Sequence, residues 1–390
     1  MDVSFFIAAR LRFKGRIAMV CIAVSFLVMI IAVAVASGYR HEIRESLSAA
    51  SGDVMITSPY MNVLDEGRSI DAEPSYMPYL RQIEAVGSIV PVVYRAGIVR
   101  HEDEMYGVVF KGIPDGVHAD SASLAVSLPS ALAAKTGLGP GDAMLTYFVG
   151  DKVKMRRFNV AAVHESVVET DEKYVINVSL SDLQRLNGWD ESQVSALEIS
   201  LKDEYRDEES IREATSEIGF VTNAYASEDE ASVIATSAIS RFPQLFSWLD
   251  LIDFNVYVIL LLMTVVAGFN MISGLLIMLF DHISTIGLLK ALGMKDRAIA
   301  KVFLSSSAVL VAKGMAAGNA LALLFCLIQG TTHLLKLNPE LYYVSYIPVN
   351  VDLGLILAAD LAAFAVIMLL LLIPCLFISR VDPAQTIRMS

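Results

Sequence analysis

The stretch DHISTIGLLKALGMKDR, residues 281–297, is a short polar interruption between two long apolar runs. The run before it, residues 254–280, has no charge over 27 residues, which is long enough to cross the ~30 Å core of a bilayer as a helix. A second apolar run begins at Val302. Apolar residues within the interruption fall mostly at helical spacing, and Gly293 follows them as a stop signal. The stretch therefore predicts a short amphipathic helix on a membrane face.

Composition indicates a polytopic membrane protein that carries an acidic soluble segment. Of the 390 residues, 55% are hydrophobic and the mean hydropathy is +0.56, which soluble domains rarely reach. The net charge is −16 over residues 38–250 and +4 over the remainder, giving the formal −12 of the whole chain. Such acidity argues against nucleic acid as a partner. The three cysteines, Cys21, Cys326 and Cys375, all lie in apolar runs, so the acidic segment needs no disulfide.

The uncharged run at 17–39 is interpreted as a first transmembrane helix. It follows a basic cluster of Arg10, Arg12, Lys14 and Arg16, which places the N-terminus in the cytoplasm. A signal peptide is the alternative, because small residues at 34–36 resemble a cleavage site, but the apolar part is longer than the usual signal core. The next basic cluster, near residue 295, lies on the same side if two helices separate the clusters. Residues 40–250 are then expected to face outward.

The predicted fold is a polytopic α-helical membrane protein with four transmembrane helices and a mixed α/β extracytoplasmic domain between the first and second. The expected division is a cytoplasmic segment 1–16, transmembrane helix 17–39, outer α/β domain with stalk helices 40–250, transmembrane helix 251–280, cytoplasmic coupling helix and loop 281–301, transmembrane helix 302–333, short outer loop 334–351, transmembrane helix 352–378 and cytoplasmic tail 379–390. The helical pattern from Pro243 to Phe280 is unbroken and spans ~57 Å as one helix, so it predicts a stalk that projects beyond the bilayer.

The outer domain is predicted to mix short strands with helices. Alternating apolar patterns predict strands at 53–57, 88–94, 96–100, 105–113, 142–149, 158–163, 173–178 and 195–201. Helical patterns occur at 77–86, 129–137 and 179–188.

Several motifs resemble one family of permeases. The run NMISGLLIMLFDHISTIGLLKALGMKDRAI (270–299) resembles the second transmembrane helix and coupling helix of MacB/FtsX-superfamily ABC permeases, and most of all the LolC/LolE permeases of lipoprotein-releasing systems. VFKGIPDG (109–116), LPSALAAKTGLGPGD (128–142) and FNVAAVHESVVETDEKYVINVSLSDLQRLNG (158–188) extend the resemblance. The tail carries the family's D-P-A motif between basic residues, as Arg380, Asp382, Pro383, Ala384 and Arg388.

The resemblance implies a transporter subunit that is not itself an enzyme. Such a permease works as a homodimer or heterodimer with a cytoplasmic ATPase dimer, extracts lipoproteins from the bacterial inner membrane, and passes them to a periplasmic carrier. No G-x-x-x-x-G-K-[ST] motif occurs, so no cofactor is expected on this chain, and ATP and Mg²⁺ belong to the partner ATPase. Related permeases imply alternatives: efflux of peptides or drugs, mechanotransmission, or FtsX-like signalling without a transported substrate. The segment 146–158 is shorter than the hook of LolC, so carrier docking stays open.

Three sets of site residues are predicted. The ATPase-coupling set is Ile286, Gly287, Leu288, Leu289, Lys290, Ala291, Leu292 and Gly293. The substrate-cavity set is Val24, Val28, Ile31 and Val35 on the first span with Leu260, Met263, Val266, Ala267, Asn270 and Met271 on the second. The third set is an intramembrane ion pair, Lys313 with Asp360, because the two charges fall at nearly equal depth in consecutive spans. No metal site is expected.

Overall fold

The computed structural model describes residues 16–61, 68–101, 103–114, 124–149, 153–164, 174–338, 342 and 344–375. Within these residues the chain forms two compact units. The helical unit holds residues 16–41, 247–337 and 346–375, and the α/β unit holds residues 42–246 and 338–345. Arg10, Arg12 and Lys14 of the N-terminal basic cluster and the C-terminal motif at 380–388 lie outside the described residues.

The elements are numbered in chain order. The helices are α1 Arg16–Ser51, α2 Met77–Leu80, α3 Ser130–Thr136, α4 Leu180–Asn187, α5 Glu208–Tyr225, α6 Ala238–Arg241, α7 Pro243–Asp281, α8 Ile283–Ala291, α9 Asp296–Thr332, α10 Leu353–Leu370 and α11 Leu372–Cys375. The strands are β1 Val54–Thr57, β2 Ile70–Asp71, β3 Val86–His101, β4 Glu104–Ile113, β5 Ala125–Pro129, β6 Ala143–Phe148, β7 Lys154–His164, β8 Tyr174–Ser179, β9 Gln193–Val194, β10 Ala196–Leu201 and β11 Ile234–Ser237.

Four helical segments of the described chain are long and apolar enough to cross a membrane, and they are α1, α7, α9 and α10 continued by α11. The mixed α/β unit follows the first of them and precedes the second in the sequence, so the predicted fold class is confirmed. Helices α1 and α7 have 36 and 39 residues, ~54 and ~59 Å at 1.5 Å per residue. The third candidate span, α9, begins at Asp296 and therefore includes the end of the loop expected at 281–301.

Small residues bring α9 close to α1 inside the helical unit. A Cβ added to Gly318 would lie 2.5 Å from the carbonyl oxygen of Ala23, and one added to Gly314 would lie 2.7 Å from a methyl carbon of Ile22. Small side chains allow helix backbones to approach each other closely in a membrane, where packing rather than water drives association. The apolar core of the unit includes Phe26 and Met271, both fully buried.

The α/β unit is organised around one long strand. The first half of β3 pairs with β10, and β10 continues the sheet through β1 to β11. The second half of β3 pairs with β4 on one side and with β6 on the other. Because the order β4-β8-β5-β7-β6 leads back to β3, these strands close into a six-stranded barrel. Three aromatic rings, Phe110, Phe148 and Phe158, fill it with centroids 5.0–6.0 Å apart.

Most of the strands and helices predicted from the sequence of the outer domain are found. The strands expected at 88–94 and 96–100 are one continuous strand, because Arg95 between them is buried and donates to the carbonyl oxygen of Val149 at 2.8 Å. The helix expected at 77–86 is helical only over Met77–Leu80, since Val86 already pairs with Leu201 in the sheet. The pattern missed β5, β11 and the small β2–β9 pair.

Candidate coupling site and substrate-facing helices

Helix α8 is a separate nine-residue helix between two candidate spans. It starts directly after a break at His282, whose carbonyl oxygen accepts the N–H of Ile286 at 3.0 Å. It ends where the N–H of Gly293 donates to the carbonyl oxygen of Lys290 at 2.9 Å. The short helix expected within residues 281–297 is therefore present, and its two faces differ in burial.

One face of α8 packs against the rest of the helical unit. Ile286 is 1% exposed and belongs to the same apolar cluster as Ile299 and Phe303 of α9, and Gly287 beside it is buried. Leu289 is half-buried against this cluster. A separate protein cannot touch Ile286 and Gly287 while α8 stays seated, so this structure contradicts their assignment as direct ATPase contacts. Their apolar side fixes the helix in place instead.

The other face of α8 is an exposed apolar surface. Leu288 and Leu292 are 57% and 75% exposed, and Ala291 and Gly293 are exposed beside them. Ile283 and Ser284, which the sequence-based set omitted, continue the exposed face toward the start of the helix. Ser284 lies four residues before Leu288 and seven before Ala291, which is the helical spacing that would have identified it from the sequence. We call Ile283, Ser284, Leu288, Ala291 and Leu292 the coupling surface.

Lys290 lies between the two faces. Its Nζ is 3.0 Å from Oδ1 of Asp296, the first residue of α9, and its side chain is largely covered. The lysine therefore joins α8 to the next helix of its own chain. A direct contact to an ATPase is not needed to explain its charge at this position.

The predicted cavity residues do not form one open surface. On α1, Val24 is exposed, and Val28, Ile31 and Val35 are half-buried on the same helical face. On α7, Val266 is exposed and Leu260, Met263 and Asn270 are half-buried. Ala267 and Met271 are fully buried in the core of their own chain, which contradicts a cavity-lining role for these two in this structure. Turning by ~100° per residue carries them to the inner side of the helix.

An exposed apolar face on α7 was missed by the sequence analysis. It contains Phe254, Val258, Leu261, Val265 and Phe269, at spacings of three and four residues. Because residues 254–280 of the helix carry no charge and are apolar on nearly every side, their sequence gives no polar face against which to orient them. Burial in the folded chain is the information that separates this face from the one holding Ala267 and Met271.

The predicted Lys313–Asp360 pair is not formed in the described structure. Asp360 is 5% exposed, and its Oδ2 accepts a hydrogen bond from Nδ2 of Asn319 at 2.5 Å. Lys313 is exposed on the same helix as Asn319. Lys313 and Asn319 are six residues apart, so their side chains point ~120° apart around α9. Equal depth along consecutive spans was therefore the wrong criterion, because it left out rotation about the helix axis.

Near the boundaries of the helical unit, at residues 41 and 247, a polar contact and an aromatic contact join α1 to α7. Arg40 forms a salt bridge with Asp253, and the rings of Tyr39 and Trp248 meet edge to face with centroids 5.8 Å apart. Tyr and Trp are enriched where membrane helices meet water. A search for opposite charges near the two predicted helix ends would have suggested the Arg40–Asp253 pair.

Comparison with known proteins confirms the resemblance stated from the sequence. Residues 257–383 match the family described as FtsX-like permease C-terminal. The lipoprotein-releasing system transmembrane protein LolC of Xylella fastidiosa is 21% identical over 94% of this chain and 92% of its own length. LolC of Neisseria meningitidis serogroup B is 27% identical over 34% of each chain. The periplasmic region of MacB from Actinobacillus actinomycetemcomitans is 13% identical, with a TM-score of 0.32 over 51% of this chain and 95% of that structure.

Proposed function

We propose that this chain is the permease subunit of an ABC transporter that extracts lipoproteins from a bacterial inner membrane and releases them to a periplasmic carrier. The observation that carries the proposal is the similarity to a LolC protein through 94% of this chain and 92% of that relative. A match of that extent includes the α/β unit as well as the helical unit. In this proposal two permease copies, or this chain and a paralogue, bind an ATPase dimer that holds ATP and Mg²⁺.

The coupling surface supports a cytoplasmic partner. It leaves two leucine side chains, Leu288 and Leu292, mostly open to solvent on a helix that is otherwise seated in the chain's own core. Removing apolar surface from water contributes ~25 cal/mol of favourable free energy for each Å². A complex in which the partner covers both leucines would therefore be stabilised by their burial. The sequence has no P-loop motif, so ATP is proposed to be hydrolysed by the partner ATPase. The coupling surface is proposed to be where conformational changes of that ATPase are transmitted to this chain.

The proposed orientation places both termini and α8 in the cytoplasm and the α/β unit in the periplasm. Basic residues support it, because Lys290, Lys295, Arg297 and Lys301 cluster around α8, whereas residues 334–351 contain only Lys336. Substrate would reach the permease from the outer leaflet. The exposed faces of α1 and α7, with Val24, Val266 and the phenylalanines of α7, are the surfaces proposed to meet acyl chains.

A second candidate is an FtsX-like adaptor or efflux permease without a lipoprotein substrate. The match at 257–383 favours it to the same extent, because that domain spans only the last three candidate spans. The two candidates share the ATPase partner and differ in what the complex releases.

Reconstitution separates these candidates. The chain is co-expressed with an ABC ATPase from the same organism, placed in proteoliposomes with a labelled lipoprotein, and supplied with ATP and a periplasmic carrier. We expect ATP-dependent transfer of lipoprotein to the soluble fraction, which a hydrolysis-deficient ATPase abolishes. Robust ATP hydrolysis without any lipoprotein in the soluble fraction would contradict lipoprotein release and favour the adaptor or efflux candidate.

A further inference from the structure

The C-terminal end of α1, inside the α/β unit, presents backbone groups that the helix cannot satisfy. The last carbonyl groups of any α-helix have no N–H partner further along the same helix. Here the helix ends at Ser51, and Gly52 follows in the left-handed conformation with φ +65°. Its N–H donates to the carbonyl oxygen of Ser48 at 2.8 Å. The carbonyl oxygens of Ala50, Ser51 and Gly52 therefore point out of the end of the helix and need donors from elsewhere.

Two cationic side chains supply those donors. Nζ of Lys111 is 2.5 Å from the carbonyl oxygen of Ala50. Nη2 of Arg241 is 2.9 Å from the carbonyl oxygen of Ser51 and 2.7 Å from that of Gly52. Positive charge at a helix C-terminus is also favoured by the helix dipole. The end of α1 is thus held from two sides by side chains that come from distant parts of the chain.

Buried partners fix Lys111. Its Nζ is 2.7 Å from Oε2 of Glu198, and both side chains are less than a tenth exposed. The hydroxyl group of Tyr94 donates to Glu198 as well. Burial, and then the charge of Glu198, raise the pKa of Tyr94 well above its usual range, so its hydroxyl keeps the proton that it donates. A buried ion pair with additional hydrogen bonds is costly to separate, because each charge would remain buried without its partner.

The four side chains come from the central strands and from the segment that leads into α7. Tyr94 and Lys111 are directly opposite each other in the β3–β4 pairing of the barrel. Glu198 lies on β10 opposite Val90, in the half of β3 that belongs to the other sheet. Arg241 is the last residue of α6, two residues before α7 begins at Pro243. One cluster therefore contacts the end of α1, the approach to α7, and both halves of β3.

We propose that Tyr94, Lys111, Glu198 and Arg241, the clasp, are positioning residues that transmit movement of the α1 and α7 ends to the barrel during transport. The proposal rests on the proposed function, because it assumes that ATP hydrolysis moves these helices. Displacing the end of α1 would expose three carbonyl groups and separate Lys111 from Glu198, so the barrel follows the helix.

The test measures the distance between the α1 end and the barrel in the complete transporter. Spin labels are attached to cysteines at Ala49 and Asn159, which are both exposed, after the three native cysteines are replaced by alanine. Lys111→Met and Arg241→Gln each remove donors to the helix end. Lys135→Met is the matched control, because it removes a lysine whose Nζ lies 2.6 Å from the hydroxyl oxygen of Tyr174 in the same unit, away from the α1 end.

Wild type and Lys135→Met are expected to keep one narrow distance distribution without nucleotide and in an ATP-trapped state. Lys111→Met and Arg241→Gln are expected to broaden it, and to lower lipoprotein released per ATP hydrolysed at least tenfold while ATP turnover stays within twofold of wild type. If Lys111→Met does not fold, Lys111→Met/Glu198→Gln removes both buried charges together and leaves neither unpaired.

Two results would overturn the clasp. One is a wild-type distance distribution in the folded variants. The other is a parallel loss of melting temperature, ATP turnover and release, as a merely structural role would give. Failure of the proposed function has a different signature: wild-type transporter that hydrolyses ATP and releases no lipoprotein, while the distance distributions still differ between wild type and the clasp variants.

Discussion

At the scale of single residues, Gly318 tests how closely α1 and α9 approach. An added Cβ would meet the backbone carbonyl oxygen of Ala23, which cannot move without moving α1. We expect Gly318→Ala to destabilise the protein by about 1–3 kcal/mol through overpacking, with a lower melting temperature in detergent. Gly330→Ala in the same helix is the control, since its nearest neighbour would be a methyl carbon of Val349 at 3.4 Å. Equal melting temperatures for the two variants would contradict this close packing.

The Asn319–Asp360 contact gives a second prediction at this scale. Asn319→Leu and Asp360→Leu should each destabilise the protein by about 1–3 kcal/mol, because each leaves the other polar group buried without its partner. The double change should cost less than the sum of the single changes. Lys313→Leu, at an exposed position, should be near neutral in the same detergent-melting assay. A large loss for Lys313→Leu would revive the ion pair expected from the sequence.

A third residue-scale prediction concerns pH. Nδ1 of His164 on β7 lies 2.8 Å from Oγ of Ser127, and burial lowers the pKa of this histidine below its usual 6.5. The unfolded chain then takes up a proton at higher pH than the folded chain does. Stability of the α/β unit should therefore fall as the pH drops below about 6.5. Melting curves between pH 8 and pH 5 should show this fall, and His164→Gln should flatten it, whereas His41→Gln, at an exposed site, should not.

At the scale of elements, the coupling surface of α8 gives the sharpest prediction. Leu288→Asp and Leu292→Asp place a charge on the exposed apolar face without touching the buried one. We expect each to lower substrate-stimulated ATP turnover at least tenfold, because a desolvated carboxylate opposes docking. Insertion and melting temperature should stay as in wild type, and Leu292→Met should retain activity.

Gly287→Trp separates the two faces of the same helix. Gly287 is buried against the helical unit, so an indole there should destabilise the permease itself and not only its docking. A Gly287→Trp protein that melts like wild type and loses only ATPase binding would place this residue on the docking face after all.

Element by element, the sequence determined the type of most segments and left their orientation open. The uncharged runs identified the candidate spans because length and apolarity are enough for that purpose. The sequence did not determine the rotation of α7 about its axis, because residues 254–280 carry no charge and are apolar on nearly every side. Met271 was therefore assigned to the cavity-facing side. Arg95 split a predicted strand for a related reason: a charge within an apolar run indicates solvent, unless distant residues bury it. The Lys313–Asp360 assignment failed similarly, since it used depth without rotation.

At the scale of the whole molecule, the proposed orientation can be tested with a membrane-impermeant maleimide. Ser130→Cys on the α/β unit should react in intact spheroplasts, and Ala291→Cys on α8 should react only after the membrane is permeabilised. Both positions are exposed, so the labelling difference reports sidedness and not burial. Labelling of Ala291→Cys in intact spheroplasts would reverse the proposed topology.

The division into a helical unit and an α/β unit was the part most accessible from the sequence. Charge and hydropathy change sharply near residues 40 and 250, and the boundaries of the two units lie at 41 and 247. The clasp was not accessible, because its members are separated by up to 147 positions, from Tyr94 to Arg241, and each reads alone as an ordinary surface residue. The pairing of β3 with both β4 and β10 brings Tyr94, Lys111 and Glu198 together, and Arg241 joins them from α6.

The 16-residue strand β3 has a consequence for how the α/β unit responds to pulling. The first half of β3 is the last strand of the open sheet, and its second half is a strand of the barrel. Sliding either sheet along its strands would therefore break hydrogen bonds of this one strand. Force applied along β3 loads its hydrogen bonds in shear, so they share the force and do not open one after another. The unit should therefore yield as one brittle piece at a single high force, with no half-opened form that retains only one of its sheets.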